Sequence, residues 1–172
     1  MERSLYFAYG SNINLDQMAY RCPDAQVVGP VILENYELLF RRGGFATIAP
    51  KEGEKVHGLL WSITQSCEQS LDRYEGWPRF YDKQTVTVRD SEGRSLSVMV
   101  YIMDDRFQEP RLPTADYYIG ILKGYRQNGL PVTALNKAWD HAVREVHQET
   151  KRVNAHTVDH TKPSKRRDDH SR

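Results

Sequence analysis

The chain has 172 residues and a formal net charge of +1 at neutral pH, with 39% hydrophobic and 27% charged residues. This length and composition are typical of one globular domain and exclude membrane, collagenous, repeat and disulfide-scaffold proteins. The two cysteines make neither a disulfide framework nor a metal quartet. Because no apolar run reaches the length of a membrane helix and the first residues lack the apolar region of a signal peptide, we expect a soluble cytoplasmic protein.

Positive charge is concentrated at the C-terminal end of the chain. Residues 151–172 contain seven Lys or Arg and three Asp and so carry +4, whereas the other 150 residues carry −3. A weakly acidic body gives no reason to expect a surface for nucleic acid. The apolar pattern ends near Thr150, so we predict a catalytic or binding domain over residues 1–150 and a basic, disordered tail over residues 151–172.

The first part of the chain predicts strands interrupted by one loop and one short helix. Residues 5–9 form a short, aromatic-rich run that indicates a buried strand, and Gly10-Ser11-Asn12 stops it. Asn14 follows as the cap of a short helix. Apolar runs bounded by turn residues then predict four more strands, at residues 27–33, 36–41, 45–49 and 55–63.

The middle of the chain predicts a helix and a hairpin. Thr64 and Ser66 open the helix, with Ser66 at the first position of a capping-box sequence, and Gly76 ends it. Residues 81–89 alternate between apolar and polar side chains, and residues 96–103 return as the partner strand after a turn.

The last part of the chain predicts two helices. Thr114 caps the first, Gly129-Leu130-Pro131 ends it, and the second carries an apolar stripe that begins at Val132. The strands precede these helices without regular alternation. The sequence therefore predicts an α+β fold in a single domain, with a mixed or antiparallel, strongly curved sheet and flanking helices.

The first candidate for a functional site is the junction between the first strand and its loop. A strand that ends in glycine and small polar residues leaves backbone N–H groups without partners, and these can bind a carboxylate or a developing oxyanion. Gly10 lets a ligand approach the main chain, while Ser11 and Asn12 offer side-chain hydrogen bonds. An ordinary turn with a helix cap explains the same residues.

The second candidate is Glu75, at the predicted end of a helix and among aromatic residues. The helix dipole disfavours negative charge there, and burial among aromatic rings would raise the pKa of the carboxyl toward the range of a general acid/base. A solvated glutamate at a frayed helix end is the alternative. The tyrosines at 117, 118 and 125 are interpreted as helix packing.

Two separated segments resemble one family of enzymes. FAYGSN at 7–12 and LDRYEG at 71–76 are similar to the signatures of the gamma-glutamylcyclotransferase family, the AIG2-like group that includes gamma-glutamylamine cyclotransferases. GGFATIAP at 43–50, KVHGLLWSIT at 55–64 and VYIM at 100–103 agree with the family in order. The loop and the glutamate segment in the correct order favour a functional interpretation of both.

The resemblance implies an enzyme that converts a γ-glutamyl amide or peptide into 5-oxoproline and the free amine, on a barrel-like curved sheet. Glu75 matches the catalytic glutamate of the family, which implies a general acid/base. The residues that match its substrate-binding positions are Tyr9, Gly10, Ser11, Asn12, Tyr81 and Tyr101. The reaction needs no metal or other cofactor, and the implied partner is a small γ-glutamyl substrate, without nucleic acid or membrane.

The alternative is a non-catalytic module of the same fold that binds a small molecule. The sequence leaves open the leaving amine, the oligomeric state, and whether the loop amides hold the oxyanion or the substrate α-carboxylate. For the mouth of the cavity we expect contributions from residues 41–45, 77–81 and 106–112.

Overall fold

Five strands close into a barrel in a computed structural model that describes residues 2–159. The strands are β1 (Arg3–Ala8), β2 (Gln26–Arg41), β3 (Phe45–Thr64), β4 (Tyr81–Asp90) and β5 (Ser95–Met103). Their order around the barrel is β1-β3-β2-β4-β5, and β5 closes onto β1 through a parallel pairing at Tyr6 and Met99. All other pairings are antiparallel. The prediction of a curved, mixed sheet with barrel-like closure is confirmed.

Two long strands replace the four short ones predicted between residues 27 and 63. β2 is 16 residues long and β3 is 20, and they pair along most of their length. The register shifts between Val27 and Gly29 and again between Glu34 and Tyr36, where Asn35 has a φ of 61°. These irregularities absorb the turn-forming residues inside continuous strands, as β-bulges do, so the prediction of separate strands was wrong.

Four α-helices lie against the barrel. They are α1 (Leu15–Arg21), α2 (Gln65–Glu75), α3 (Ala115–Gln127) and α4 (Val132–Asp159). Asn14 caps α1 by accepting two backbone N–H bonds at 3.0 Å, and Thr114 caps α3. The cap of α2 is Thr64, whose hydroxyl accepts a backbone N–H bond at 3.2 Å, so Ser66 lies inside the helix and the capping box predicted there was wrong.

Helix α4 enters the segment for which disorder was predicted. It continues to Asp159, so the prediction of disorder was wrong for residues 151–159, and residues 160–172 lie outside the described residues. The side chains of residues 151–157 are all exposed. A helix that has already formed extends by one hydrogen bond per added residue, so it can continue without an apolar face to bury. No helix between residues 2 and 159 is long and apolar enough to span a membrane.

Candidate active site

Contacts between α2 and the barrel hold the last turn of that helix, and with it Glu75, against the barrel. Leu71 is fully buried on the inner face of α2, and Asp72 Oδ1 accepts a 2.6 Å hydrogen bond from the Tyr101 hydroxyl on β5. Gly76 then ends the helix in the left-handed conformation, with a φ of 64°. Because a residue with a β-carbon adopts that conformation reluctantly, glycine at this position ends the helix directly after Glu75.

The loop after β1 is held by buried hydrogen bonds. Asn12 Nδ2 donates to the Tyr6 hydroxyl at 3.0 Å, and Trp61 Nε1 donates to the Asn12 carbonyl at 3.0 Å. The 3₁₀ turn over Ser11–Ile13 has Gly10 at its start and no side-chain cap. Among residues 2–159, no protein acceptor takes the backbone N–H groups of Gly10, Ser11 and Asn12. These amides are available to an anionic group.

A cavity of about 240 Å³ connects the loop with the end of α2. Every residue that the sequence singled out for the site lines it, namely Tyr9, Gly10, Ser11, Asn12, Glu75, Tyr81 and Tyr101. Aromatic side chains form most of the remaining wall. The other residues that line it are Tyr6, Phe7, Phe45, Ala46, Arg73, Tyr74, Gly76, Phe80 and Tyr117. The volume is slightly below the 300–1,000 Å³ common for drug-sized ligands, so the cavity suits a molecule of amino-acid size.

The Glu75 carboxyl titrates far from the range of an exposed glutamate. Burial raises its pKa to about 7, against the positive charge of Arg21, which lowers it. The residue as a whole keeps partial exposure and lines the cavity. Within the described part of the chain this carboxylate accepts no hydrogen bond and forms no ion pair. A carboxyl with this pKa and no protein partner can accept or donate a proton near neutral pH.

The three tyrosines predicted for the site use their hydroxyl protons on protein acceptors. The Tyr9 hydroxyl donates to the Tyr101 carbonyl, the Tyr81 hydroxyl to the Ala46 carbonyl, and the Tyr101 hydroxyl to Asp72, each at 2.6 Å. Burial raises the pKa of all three phenols, so they remain neutral. They therefore line the cavity as neutral side chains whose hydroxyl protons are already used within the protein.

Tyr117 also belongs to the cavity, although the sequence assigned it to helix packing. Its hydroxyl accepts the Ala46 backbone N–H at 3.0 Å, and its ring lines the wall. The other two tyrosines of that set do pack, because Tyr125 is buried and Tyr118 lies edge-on to Trp139 at 5.1 Å. The helical spacing that places all three on α3 could not separate them.

Arg21 is the functional candidate that sequence reasoning missed. It is the last residue of α1, and its guanidinium contacts Ser11, Asn12 and Tyr74. No motif includes it, and Tyr74 is distant in the sequence.

The segments predicted for the cavity mouth contribute unequally. Phe45 and Phe80 both line the cavity and stack edge-on at 6.1 Å. Phe107 contacts Phe80 at 5.4 Å and supports the wall from behind, outside the cavity itself. Arg41 lies elsewhere, in a buried ion pair with Glu145.

Comparisons with known proteins agree with this site. The profile of the family described as "Gamma-glutamyl cyclotransferase, AIG2-like" matches residues 6–119. The chain is 33% identical over 142 residues to the gamma-glutamylcyclotransferase of Bos taurus, a match that covers 76% of this chain and 74% of the relative. The Homo sapiens gamma-glutamylcyclotransferase is 32% identical with the same coverage.

A solved structure of a gamma-glutamyl cyclotransferase has the same fold. It superposes with a TM-score of 0.72 at 31% identity, covering 80% of this chain and 86% of that chain. The matched region contains both the loop and Glu75, since both lie within residues 6–119. The chain therefore belongs to the AIG2-like gamma-glutamyl cyclotransferase family and is an enzyme of the gamma-glutamylcyclotransferase type.

Proposed function

We propose that the protein converts a small γ-glutamyl amide or peptide into 5-oxoproline and the free amine, with Glu75 as general acid/base. The observation that carries the proposal is a carboxyl with a pKa of about 7 in the same cavity as a loop of unpaired backbone amides. The proposal assigns catalysis to residues 1–150, because every residue that lines the cavity precedes α4.

The proposed reaction closes a ring within the substrate. The substrate α-amine attacks its own γ-carbonyl carbon, a C–N bond forms, and the original amide C–N bond then breaks. At neutral pH the α-amine is mostly an ammonium, with a pKa of about 8, and must lose a proton first. Glu75 takes that proton and delivers it to the departing nitrogen. The ring nitrogen loses its second proton to the same carboxylate as the lactam forms, and that proton passes to the released amine, which leaves as an ammonium. The pKa values differ by about one unit, so the first transfer costs only about 1.4 kcal/mol.

The loop amides supply partial positive charge for an anionic group of the substrate. The N–H groups of Gly10, Ser11 and Asn12 hold either the developing oxyanion or the substrate α-carboxylate, since both are anionic oxygens that suit such donors. Loss of one oxyanion donor typically costs about 10²–10³ in rate. Ring-closing attack also requires a folded glutamyl chain, and Tyr9, Tyr81 and Tyr101 provide fixed walls that restrict it.

The test is release of 5-oxoproline from a panel of γ-glutamyl amino acids, dipeptides and amines, measured by mass spectrometry, with the α-glutamyl isomers as matched controls. The γ-glutamyl compounds should react and the α-glutamyl compounds should not. Saturable binding without product from any member would contradict the proposal and favour a binding module of the same fold.

The pH profile of the same reaction tests the proton transfer. The productive complex carries one transferable proton, which is either on Glu75 or on the substrate amine. Below about pH 7 Glu75 is protonated and cannot accept another proton, and above about pH 8 the complex lacks the proton that the leaving amine needs. We therefore expect kcat/KM to peak between these values and to fall about tenfold per pH unit on the acid side. A flat profile from pH 5 to 7 would contradict the role of Glu75.

A further inference from the structure

Arg21 joins the loop after β1 to the end of α2. Its Nη1 donates to Ser11 Oγ at 3.2 Å and to Asn12 Oδ1, and its guanidinium carbon lies 3.5 Å from the centre of the Tyr74 ring. Ser11 Oγ and the Tyr74 hydroxyl oxygen are 3.3 Å apart, within hydrogen-bond distance. Arg21, Ser11 and Tyr74 thus form a closed set of contacts between three elements of the fold.

These contacts involve both halves of the proposed catalytic machinery. Ser11 and Asn12 carry two of the unpaired backbone amides, and Tyr74 immediately precedes Glu75. Both polar atoms of the Asn12 side chain are occupied, because Nδ2 donates to Tyr6 and Oδ1 accepts from Arg21. The loop is therefore pinned to the barrel on one side and to Arg21 on the other.

We propose that Arg21 is a positioning residue for the reaction, which fixes the Gly10–Asn12 loop against the end of α2 and so sets the distance between the loop amides and the Glu75 carboxylate. The inference rests on the proposed function. Arginine suits this task because its planar guanidinium can stack on a ring and donate sideways at the same time, whereas the compact ammonium of lysine cannot do both.

Arg21 also acts on Glu75 electrostatically. The other titratable groups around the carboxyl are tyrosines and one arginine on its own helix, namely Tyr6, Tyr9, Tyr74, Tyr81, Tyr101, Tyr117 and Arg73. Burial raises the pKa of Tyr6, Tyr9, Tyr81, Tyr101 and Tyr117, which stay neutral near pH 7. The charge of Arg21 lowers the pKa of Glu75 against burial, so its removal should move that pKa above 7.

The first measurement is kinetic and compares Arg21→Met with Arg21→Lys. Arg21→Met removes the charge and the hydrogen bonds, so kcat should fall about 100-fold, the scale of a small misplacement of catalytic groups, and the acid limb of the kcat/KM profile should move above pH 7. Arg21→Lys keeps the charge and should keep the acid limb near pH 7, while kcat stays well below the parental value. Arg21→Met with parental kcat and pH profile would overturn the proposal.

Arg3→Met is the matched control. Arg3 also bridges two parts of the fold, since its guanidinium donates to the carbonyl oxygens of Asp24 and Ser62 at 3.0–3.2 Å, but it lies outside the cavity. Arg3→Met should keep the parental kcat and pH profile whatever its melting temperature. If Arg21→Met lowers only the melting temperature, as a purely structural arginine would, the proposal is overturned.

The second measurement does not depend on turnover, and so separates this inference from the proposed function. NMR titration of ¹³C-labelled glutamates, with Glu75 assigned through Glu75→Gln, should give a pKa near 7 in the parent and in Arg3→Met and a higher value in Arg21→Met. The backbone amide resonances of Gly10, Ser11 and Asn12 should shift in Arg21→Met alone. Absence of 5-oxoproline from the parent would refute the proposed function, whereas unchanged resonances and pKa in Arg21→Met would refute the role of Arg21.

Discussion

Glu145 at the α4 interface and Glu75 in the cavity are two partly buried glutamates whose negative charge is stabilised to very different extents. Glu145 on α4 accepts hydrogen bonds from both terminal nitrogens of Arg41 on β2, each at 2.8 Å, and its Oε1 lies 3.2 Å from His141 Nε2. Glu75 has neither a hydrogen bond nor an ion pair among residues 2–159, and burial raises its pKa to about 7. The Glu145 carboxylate has donors on both oxygens, whereas the Glu75 carboxylate has none among residues 2–159.

The difference separates a carboxylate that holds the fold together from the one that we propose to react. The bidentate pair with Arg41 holds α4 on the barrel, and each carboxylate oxygen of Glu145 accepts a charge-assisted hydrogen bond there. At Glu75 the fold tolerates an unfavourable ionised carboxylate, and the same lack of partners lets that group exchange a proton with a substrate. Four expected results test this contrast, beginning with the largest.

Replacement by glutamine should lower turnover at Glu75 and leave it unchanged at Glu145. Glu75→Gln keeps the shape of the side chain and removes its proton transfer, so kcat should fall about 10²–10⁴-fold while substrate affinity is retained. Glu145→Gln should keep the parental kcat per folded molecule, since it lies outside the cavity. Steady-state assay of 5-oxoproline and calorimetric titration of substrate measure both. Appreciable turnover by Glu75→Gln would contradict its proposed role.

Filling the loop side of the cavity should lower activity more than stability. A β-carbon on Gly10 would lie 3.2 Å from the Ala46 β-carbon and 3.5 Å from the Tyr117 hydroxyl, so the methyl groups of Gly10→Val have to enter the cavity or displace these neighbours. We expect kcat/KM to fall about 10–200-fold, the usual effect of a misplaced methylene in a fitted pocket. Gly10→Ala is the smaller control and should lose less. If Gly10→Val kept the parental kcat/KM, the loop could not be part of the substrate site.

The two glutamine variants should also change stability with opposite sign. Glu145→Gln leaves Arg41 without its anionic partner and should lower the free energy of unfolding by about 2 kcal/mol. The pKa of Glu75 rises from 4.5 to about 7 on folding, so the folded state binds more protons and loses stability as pH increases through that range. Glu75→Gln removes this penalty, which amounts to at most about 3.4 kcal/mol.

Urea denaturation at pH 5 and pH 8 separates these effects. The advantage of Glu75→Gln over the parent should be largest at pH 8 and only about a quarter as large at pH 5. Equal stability of parent and Glu75→Gln at pH 8 would show that the carboxylate is not penalised by burial.

The smallest effect is expected at the C-terminal end. Deletion of residues 151–172 removes side chains that are exposed over 151–157, so the free energy of unfolding should change by less than about 0.5 kcal/mol and activity should persist. A longer deletion that also removes Glu145 should lower the melting temperature, because Arg41 then loses its partner. A marked loss of activity in the shorter deletion would contradict the assignment of catalysis to residues 1–150.

Features with a short sequence range could be predicted well. The Asn14 cap, the Gly76 helix end and the β4–β5 hairpin are confirmed because neighbouring residues decide them. The division of β2 and β3 into shorter strands was wrong, since Asn35 looks like a turn residue in isolation. The hydrogen bonds along two long paired strands offset the cost of a bulge. The sequence of one strand alone does not show those hydrogen bonds.

The amino-acid sequence by itself singled out one loop and one glutamate as the candidate site, because both lie in contiguous segments that resemble the family. Only the tertiary structure decided that Tyr117 lines the cavity, that Arg21 contacts Ser11 and Tyr74, and that Glu75 has no hydrogen-bond or ion-pair partner among residues 2–159. The physical reason is that a carboxyl's pKa depends on burial and on charges brought near it by distant parts of the chain. Those distances exist only after the barrel has closed.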